Sequence, residues 1–593
     1  MPVVAAIMKK VFPFLLHKSG TPSILLRDKN STAKRATNML FPKRNGHAIL
    51  CAGFLLLLTP ATYLLSCGHG SPSNTKTSNP PPAPPSTRGI DVATYHNDVA
   101  RTGQNLSETI LTPGNVSSSS FGKLFVIPVD GKVDAEPLYL SGINVPGKGI
   151  HNVLYLVTEH GSVYAVDADT GTSLWQVSTL QPGETTSDNH GCSQITPEIG
   201  ITATPVIDRK SGANGTIYVV AMSKSSSGTY HQRLHALDVT TGAEEFGGPQ
   251  NLQASFPGTG DNSSGGKVIF DPGQYAERAG LLLLNGVIYM TWTSHCDIRP
   301  YTGWIMGYDE NTLAQVSVLN VTPNGNEGSF WMSGTAPAAD ASGNIYALDA
   351  NGTFDTTLTP SGFPSQGDFG NAFLKISSAN RQLAVADYFE VSNQSSENGS
   401  DEDLGSGGAL VLPDMQDGSG QTVHLAVGAG KDGNIYIVNR DSMGKFDPAS
   451  NHIYQELLGA LPGGVFSMPA YFNNTVYYGA VGQSIQAFAI SNAQLSSVPT
   501  SRTGTVFPYP GSTPSISANG AKNGIVWAVE NSSNAVLHAY DGGNLAAELY
   551  SSNQASGGRD QFGQGNKFIT PMIANGKVYV GTTNGVGVFG LLH

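Results

Sequence analysis

This sequence predicts an all-β chain: a single eight-bladed β-propeller whose blades are copies of one four-stranded antiparallel unit. Three observations predict it. One phrase recurs along the body: a Pro or Gly, a short apolar run, a Gly/Asn/Asp turn, an apolar-Tyr-apolar strand, then Gly and a strand of the form apolar-x-Ala-apolar-Asp. The anchors of the eight copies run from Pro137 to Pro571 at a mean spacing of 62 residues, enough for four short strands each. The composition suits many short strands and tight turns, with 71 Gly and 35 Pro in 593 residues and only 13% charged residues. Low charge excludes coiled coils and charge-driven disorder.

The chain opens on an export address. Lys43-Arg44 precede an apolar run over 48–58, followed by Thr59-Pro60 and Leu64-Leu65-Ser66-Cys67. A charged region, an apolar region and a small residue before a cut site make a secretory signal. The last tetrad resembles the lipobox of bacterial lipoproteins, which makes Cys67 the lipidation candidate. Ordinary cleavage and an uncleaved anchor are the alternatives, and Met39 would give a tidier signal start than Met1. The expected domains are 1–67 signal or lipoprotein anchor, 68–90 Pro/Ser-rich linker and 91–593 propeller. Residues 1–66 carry a net charge of +8, which leaves −20 for the rest. An acidic body repels phosphate backbones, so nucleic acid is not expected as a partner. Cys192 and Cys296 are the two cysteines of the body, and outside the cytoplasm they are a candidate disulfide. Two separate buried thiols is the alternative.

The copies follow in order. The first holds Glu136-Pro137, the strands 153–157 and 162–167, then Thr170-Gly171 and Trp175. The second holds Thr204-Pro205, 217–220, 234–238 and Thr241-Gly242; the third Gly280-Leu281, 287–289 and 305–309. The fourth holds Ala336-Pro337, 344–346 and 372–376; the fifth Gly408-Ala409, 424–427 and 434–437. The sixth, seventh and eighth begin at Met468-Pro469, Thr513-Pro514 and Thr570-Pro571. A single unit cannot bury both its faces, so units must stack. The last copy ends after its third strand. The orphan run 121–129 (FGKLFVIPV) is expected to supply its missing outer strand and so close the ring.

The phrase Ala165, Asp167, Thr170, Gly171, Trp175 resembles the repeat of pyrroloquinoline-quinone-type propellers, the quinoprotein alcohol dehydrogenase-like superfamily. The segment Tyr95-His96-Asn97-Asp98 … Arg101-Thr102-Gly103 resembles their N-terminal entry motif. The resemblance covers about residues 91–593 and implies the fold, while the superfamily includes both dehydrogenases and non-enzymatic scaffolds. If this chain is an enzyme, the resemblance implies the quinone PQQ and calcium as cofactors. Lys431, in Gly430-Lys431-Asp432-Gly433-Asn434-Ile435-Tyr436, matches the quinone-contacting lysine. Asn351 matches the calcium-binding amide, and Asp403, in Asp401-Glu402-Asp403, matches the catalytic base. The departures are the missing carboxylate near Ser227, Glu402 in place of a Trp, and the absence of adjacent cysteines and of a C-x-x-C-H haem motif.

Two further segments point at the hub. Residues 192–205 enter an innermost strand and place Glu198 near the central channel, and 329–334 place Trp331 there. His160, His190, His231, His235 and His295 match no metal-loop spacing, and no metal is predicted from them. The expected function is a non-catalytic binding or scaffold module at the cell envelope, with an envelope protein or a small molecule as partner. A divergent PQQ-dependent alcohol dehydrogenase is the alternative.

Overall fold

The structure is a computed structural model and describes residues 90–592. The signal segment 1–67 with Cys67, and all but the last residue of the 68–90 linker, lie outside the described residues. Among the described residues no helix is long and apolar enough to cross a membrane.

The described residues form eight sheets of four or five strands, and each predicted copy folds as one of them. The first runs Leu138–Val145, Gly149–Val157, Ser162–Asp167, Ser173–Ser178, each strand antiparallel to the one before. The third (Leu282–Leu284 to Gln315–Asn320), fourth (Ala338–Ala339 to Ala384–Phe389) and fifth (Leu410–Val411 to Gln455–Leu457) repeat this order. The eighth has three strands of its own, Met572–Ala574, Lys577–Gly581 and Gly585–Leu591. Its fourth is Phe121–Pro128, antiparallel to Gly585–Leu591, with Phe121 opposite Leu591 and Pro128 opposite Gly585.

The strands are apolar on both faces because both faces are covered. Ser162–Asp167 is buried at every position rather than alternating. The eight larger apolar clusters each span two successive sheets: Val153 and Tyr155 of the first pack with Ile217 and Val219 of the second. Tyr218 and Val220 pack with Ile288 and Met290, and Ile525 and Trp527 of the seventh pack with Val578 and Val580 of the eighth. One further cluster joins Tyr579 and Val588 of the eighth sheet to Leu154 and Leu156 of the first. At about 1.5–3 kcal/mol per buried large aliphatic side chain, these contacts are the main favourable term of the fold.

The repeat phrase has a local cause. Asp167 Oδ1 accepts from the Thr170 N–H (2.7 Å) and the Thr170 hydroxyl (2.9 Å), which fixes the turn after the third strand. Gly242 ends the equivalent turn in the second sheet at φ 72°, and a Cβ there would stand 2.8 Å from the Trp175 ring. Trp175 of the first sheet thus lies on the glycine of the second and donates from Nε1 to Val239 O (3.1 Å). Gly171, at φ 76°, receives Phe125 of the Phe121–Pro128 strand in the same way.

Residues 92–108 run along the free edges of the innermost strands and meet the first, second and fourth to eighth sheets in sequence order, the third being reached by the Arg101 side chain. Val92 pairs with Tyr139, and the carbonyl of Ala93 accepts from Ile207 N–H (2.8 Å). Val99, Ala100, Thr102 and Gly103 carbonyls accept from Ala339, Val411, Tyr471 and Ile516 N–H groups at 2.6–3.0 Å. Asn105 Nδ2 donates to Ile573 O, and the Glu108 carboxylate accepts from Gly576 N–H. Arg101 ties this belt together. It is fully buried and donates to Pro337 O, Thr94 Oγ1, Tyr95 O, Asp98 O and Leu281 O at 2.8–3.3 Å.

Candidate functional site

Segments before the innermost strands and turns after the second strands, from the second to the seventh copy, converge on a cavity of about 350 Å³. Lys431, Asp403, Asn351 and Trp331 all line it. Lys431 leaves the turn between the second and third strands of the fifth sheet. Its ammonium contacts Asp403 Oδ1 at 2.5 Å and Asp401 Oδ1 at 2.6 Å, and stands 5.2 Å over the Trp331 ring. Asp403 begins the short turn Leu404–Ser406 and is 2% exposed. Burial lifts its carboxyl to about 6, although Lys431 pulls it down. For Lys431, burial lowers the pKa, but Asp403 and Asp401 outweigh it and hold it above its ordinary value.

Asn351 donates from Nδ2 to Asp401 Oδ1 (3.1 Å), and its Oδ1 is buried without a partner. Asp403 Oδ2 is likewise buried and unpartnered. Asn371, from the Gly367–Ala372 segment, holds this wall: its Oδ1 accepts from Leu404 N–H (2.7 Å) and its Nδ2 donates to Glu397 Oε2 (3.0 Å). Asn351 and Asp403 line the same cavity as Lys431, so their orphaned oxygens are candidate contacts for a bound group. They suit a cation or a donor-bearing ligand. Among the described residues, no group of three or more His, Cys, Asp or Glu side chains is placed to hold a metal ion. A calcium ion, which takes six to eight oxygens, would here find one carboxylate and one amide and depend on its co-ligand for the rest.

Trp331 belongs to a closed aromatic quartet. It meets Phe466 at 5.5 Å, Phe466 meets Tyr509 at 5.7 Å, and Phe568 meets both Tyr509 and Trp331 at 6.2 Å, all edge-to-face. The rings enter from the fourth, sixth, seventh and eighth sheets. The backbone beside them is strained: Met332, Ser333 and Phe568 have φ of 43°, 48° and 64°. The Ser333 hydroxyl holds that turn by donating to Ser406 O (2.6 Å).

Cys192 and Cys296 form a disulfide and both line the cavity, joining the loop before the second sheet to a loop of the third across 104 residues. His190 and His295 stack beside it, centroids 4.1 Å apart, and burial with the neighbouring His190 lowers His295 to about 4. Glu198 is placed elsewhere, in a groove with Lys132, Glu159 and Lys567. It pairs with His160 Nδ1 (3.0 Å) and accepts from Thr186 Oγ1 (2.5 Å). Cys192, Gln194, Ile195 and Ile199 of the same segment line the cavity with Trp331, whereas Glu198 lines the neighbouring groove. Ser227 lies on an exposed hairpin; the acid that reaches the cavity from an earlier sheet is Asp297, beside Cys296.

Sequence reasoning missed Arg278. It is 3% exposed, lines the cavity and lies 4.5 Å over the Phe568 ring. A signal existed: Glu277-Arg278 is a charged pair just ahead of the Gly280-Leu281 anchor of the third copy.

By sequence, the family described as outer membrane protein assembly factor BamB matches residues 150–254. No curated protein sequence matches the chain. Among solved structures, the quinohemoprotein alcohol dehydrogenase of Comamonas testosteroni superposes with a TM-score of 0.56 at 14% identity, covering 84% of this chain and 80% of that one. The chain shares the β-propeller fold of that enzyme. A second quinohemoprotein alcohol dehydrogenase, ADHIIG of Pseudomonas putida HK5, gives a TM-score of 0.52 at 13% identity with the same coverage of both chains. At such identities the likeness concerns the fold of the propeller, and its chemistry has to be argued from the cavity.

Proposed function

We propose that this propeller is a ring of eight blades and serves as an extracytoplasmic binding module at the cell envelope, its ligand a small molecule held in the cavity. Three contacts support the closed ring: the Phe121–Pro128 strand on the last blade, the cluster joining the eighth and first sheets, and the seating of Phe125 on Gly171. The disulfide supports an oxidising compartment. The observation that carries the reading is that Asn351 and Asp403, each with an orphaned buried oxygen, line with Lys431 a cavity large enough for a small ring system. A scaffold that only docked proteins would gain nothing from them.

The same pair favours a second reading, an oxidoreductase using PQQ and calcium. Asn351, Asp403 and Lys431 would hold the quinone and its cation, and the quinone when bound would accept the hydride of an alcohol. Asp403, ionised above about pH 6, is the residue that would take the hydroxyl proton on Oδ2. The two readings separate in one experiment. The purified protein is titrated with PQQ and calcium, and binding is followed by absorbance and dye reduction by primary alcohols. Saturable binding without dye reduction is the expected result; binding with alcohol-dependent reduction replaces the module with the enzyme. Binding unchanged in Lys431→Ala would remove the cavity from either account.

A further inference from the structure

The cavity has a second cationic pole, and that pole is unpaired. Among the described residues Arg278 forms no salt bridge, its Nε is buried without a partner, and no hydrogen bond leaves its guanidinium. Asp134 and Glu159 act on it only from a distance, and burial lowers its pKa. An unpaired buried guanidinium is expensive, because its lost hydration is not replaced. Lys431, in contrast, has two carboxylates within 2.6 Å. The aromatic quartet lies between the two: Lys431 stands over Trp331 and Arg278 over Phe568. Tyr509, 43% exposed, offers open ring surface beside them.

We infer that Arg278 is an anion-recognising residue, and that the cavity's ligand is an organic acid whose carboxylate pairs with Arg278 while its apolar body lies against Phe466 and Tyr509. The planar guanidinium accepts a carboxylate through two parallel hydrogen bonds. The flanking rings favour a flat apolar body over a small inorganic ion. This inference rests on reading the cavity as a ligand site, and goes beyond it by fixing the ligand's charge and the residue that reads it.

The test uses the full chain and three probes: 2-naphthoate, its neutral analogue 2-naphthamide, and inorganic phosphate. Calorimetry should show 2-naphthoate binding at least about tenfold more tightly than the other two. Arg278→Met should abolish that preference, and Arg278→Lys should keep part of it. The melting temperature gives an independent readout. If Arg278 waits for a ligand, Arg278→Met raises the melting temperature of the ligand-free protein, since a site residue is held at a cost to the fold. If it is structural, the same substitution lowers it, and the inference falls. Equal binding of naphthoate and naphthamide, or of phosphate and naphthoate, also overturns it while leaving the cavity a ligand site. Binding of none of the three, nor of PQQ with calcium, overturns the cavity reading itself.

Discussion

Two buried arginines stand a few residues from the innermost strands and differ in one respect. Arg101, in the belt, donates five hydrogen bonds to carbonyl and hydroxyl oxygens of the belt and of the third and fourth sheets. Arg278, in the cavity, donates none among the described residues. Burial is the same, so the difference lies in what each charge is for. The belt satisfies its polar groups internally and therefore holds the sheets. The cavity leaves Arg278, Asn351 and Asp403 with open valences and therefore must be held by something else, whether ligand, disulfide or surrounding sheets.

The largest expected effect is at the belt. Arg101→Met strands five oxygens at once, three of them buried (Tyr95 O, Leu281 O and Pro337 O), at roughly 1–3 kcal/mol for each that water cannot reach. We expect a loss of about 4 kcal/mol or more, in the exceptional range for a single substitution. Denaturant unfolding of Arg101→Met against Arg278→Met measures the contrast directly. Two substitutions of the same kind at equally buried sites should move stability in opposite directions, and movement in the same direction would break the comparison.

The belt and the cavity were also unequally legible. The repeat phrase exposed the sheets because each copy must supply the same turn and the same two-faced strands, as Asp167, Gly171 and Trp175 show. The orphan run 121–129 could be placed because the last copy lacks a strand. Lys431, Asp403, Asn351 and Trp331 were visible through family likeness, and the fold brings all four to one cavity. Arg278, Phe466, Tyr509 and Phe568 were not visible. They precede their strands in different blades, and only the ring geometry brings together residues that lie up to 290 positions apart in sequence. Glu198, expected near the central channel, lines a different groove from Trp331. Its loop instead turns back to pair Ser187 with Ile199.

A smaller effect is expected at the disulfide. With few internal bonds, the cavity mouth depends on Cys192–Cys296, which closes a loop of about 100 residues and is worth about 2–4 kcal/mol. Cys192→Ser with Cys296→Ser should lower stability by that amount. Hydrogen exchange should speed up in residues 187–200 and 292–300 while the amides of Ala339, Val411 and Tyr471, bonded to the belt, keep their protection. Equal loosening of both regions would mean that the cavity and the belt share one cooperative unit, and the contrast would fail.

The smallest effect concerns protons. Burial raises Asp403 to about 6 and Glu397, one residue behind it through Asn371, to about 7. In the unfolded chain these groups titrate near 3.8 and 4.5. The folded state therefore binds their protons more tightly. Their stabilising contribution is complete below about pH 4 and is lost as pH rises through the folded values. Glu184 and Asp188, held near 2 by Arg233 and Lys224, run the other way, but their contribution is already complete above about pH 5. The melting temperature should thus fall between about pH 5 and 7. Glu397→Gln isolates one term: relative to wild type it should flatten the profile up to about pH 7 and run parallel to it above. On the order of 2–3 kcal/mol is at stake for each group before discounting for its partners. A profile that rises over this range, or one that Glu397→Gln leaves unchanged, would mean that water or a bound cation reaches these carboxyls and pairs them as fully as the belt pairs its own.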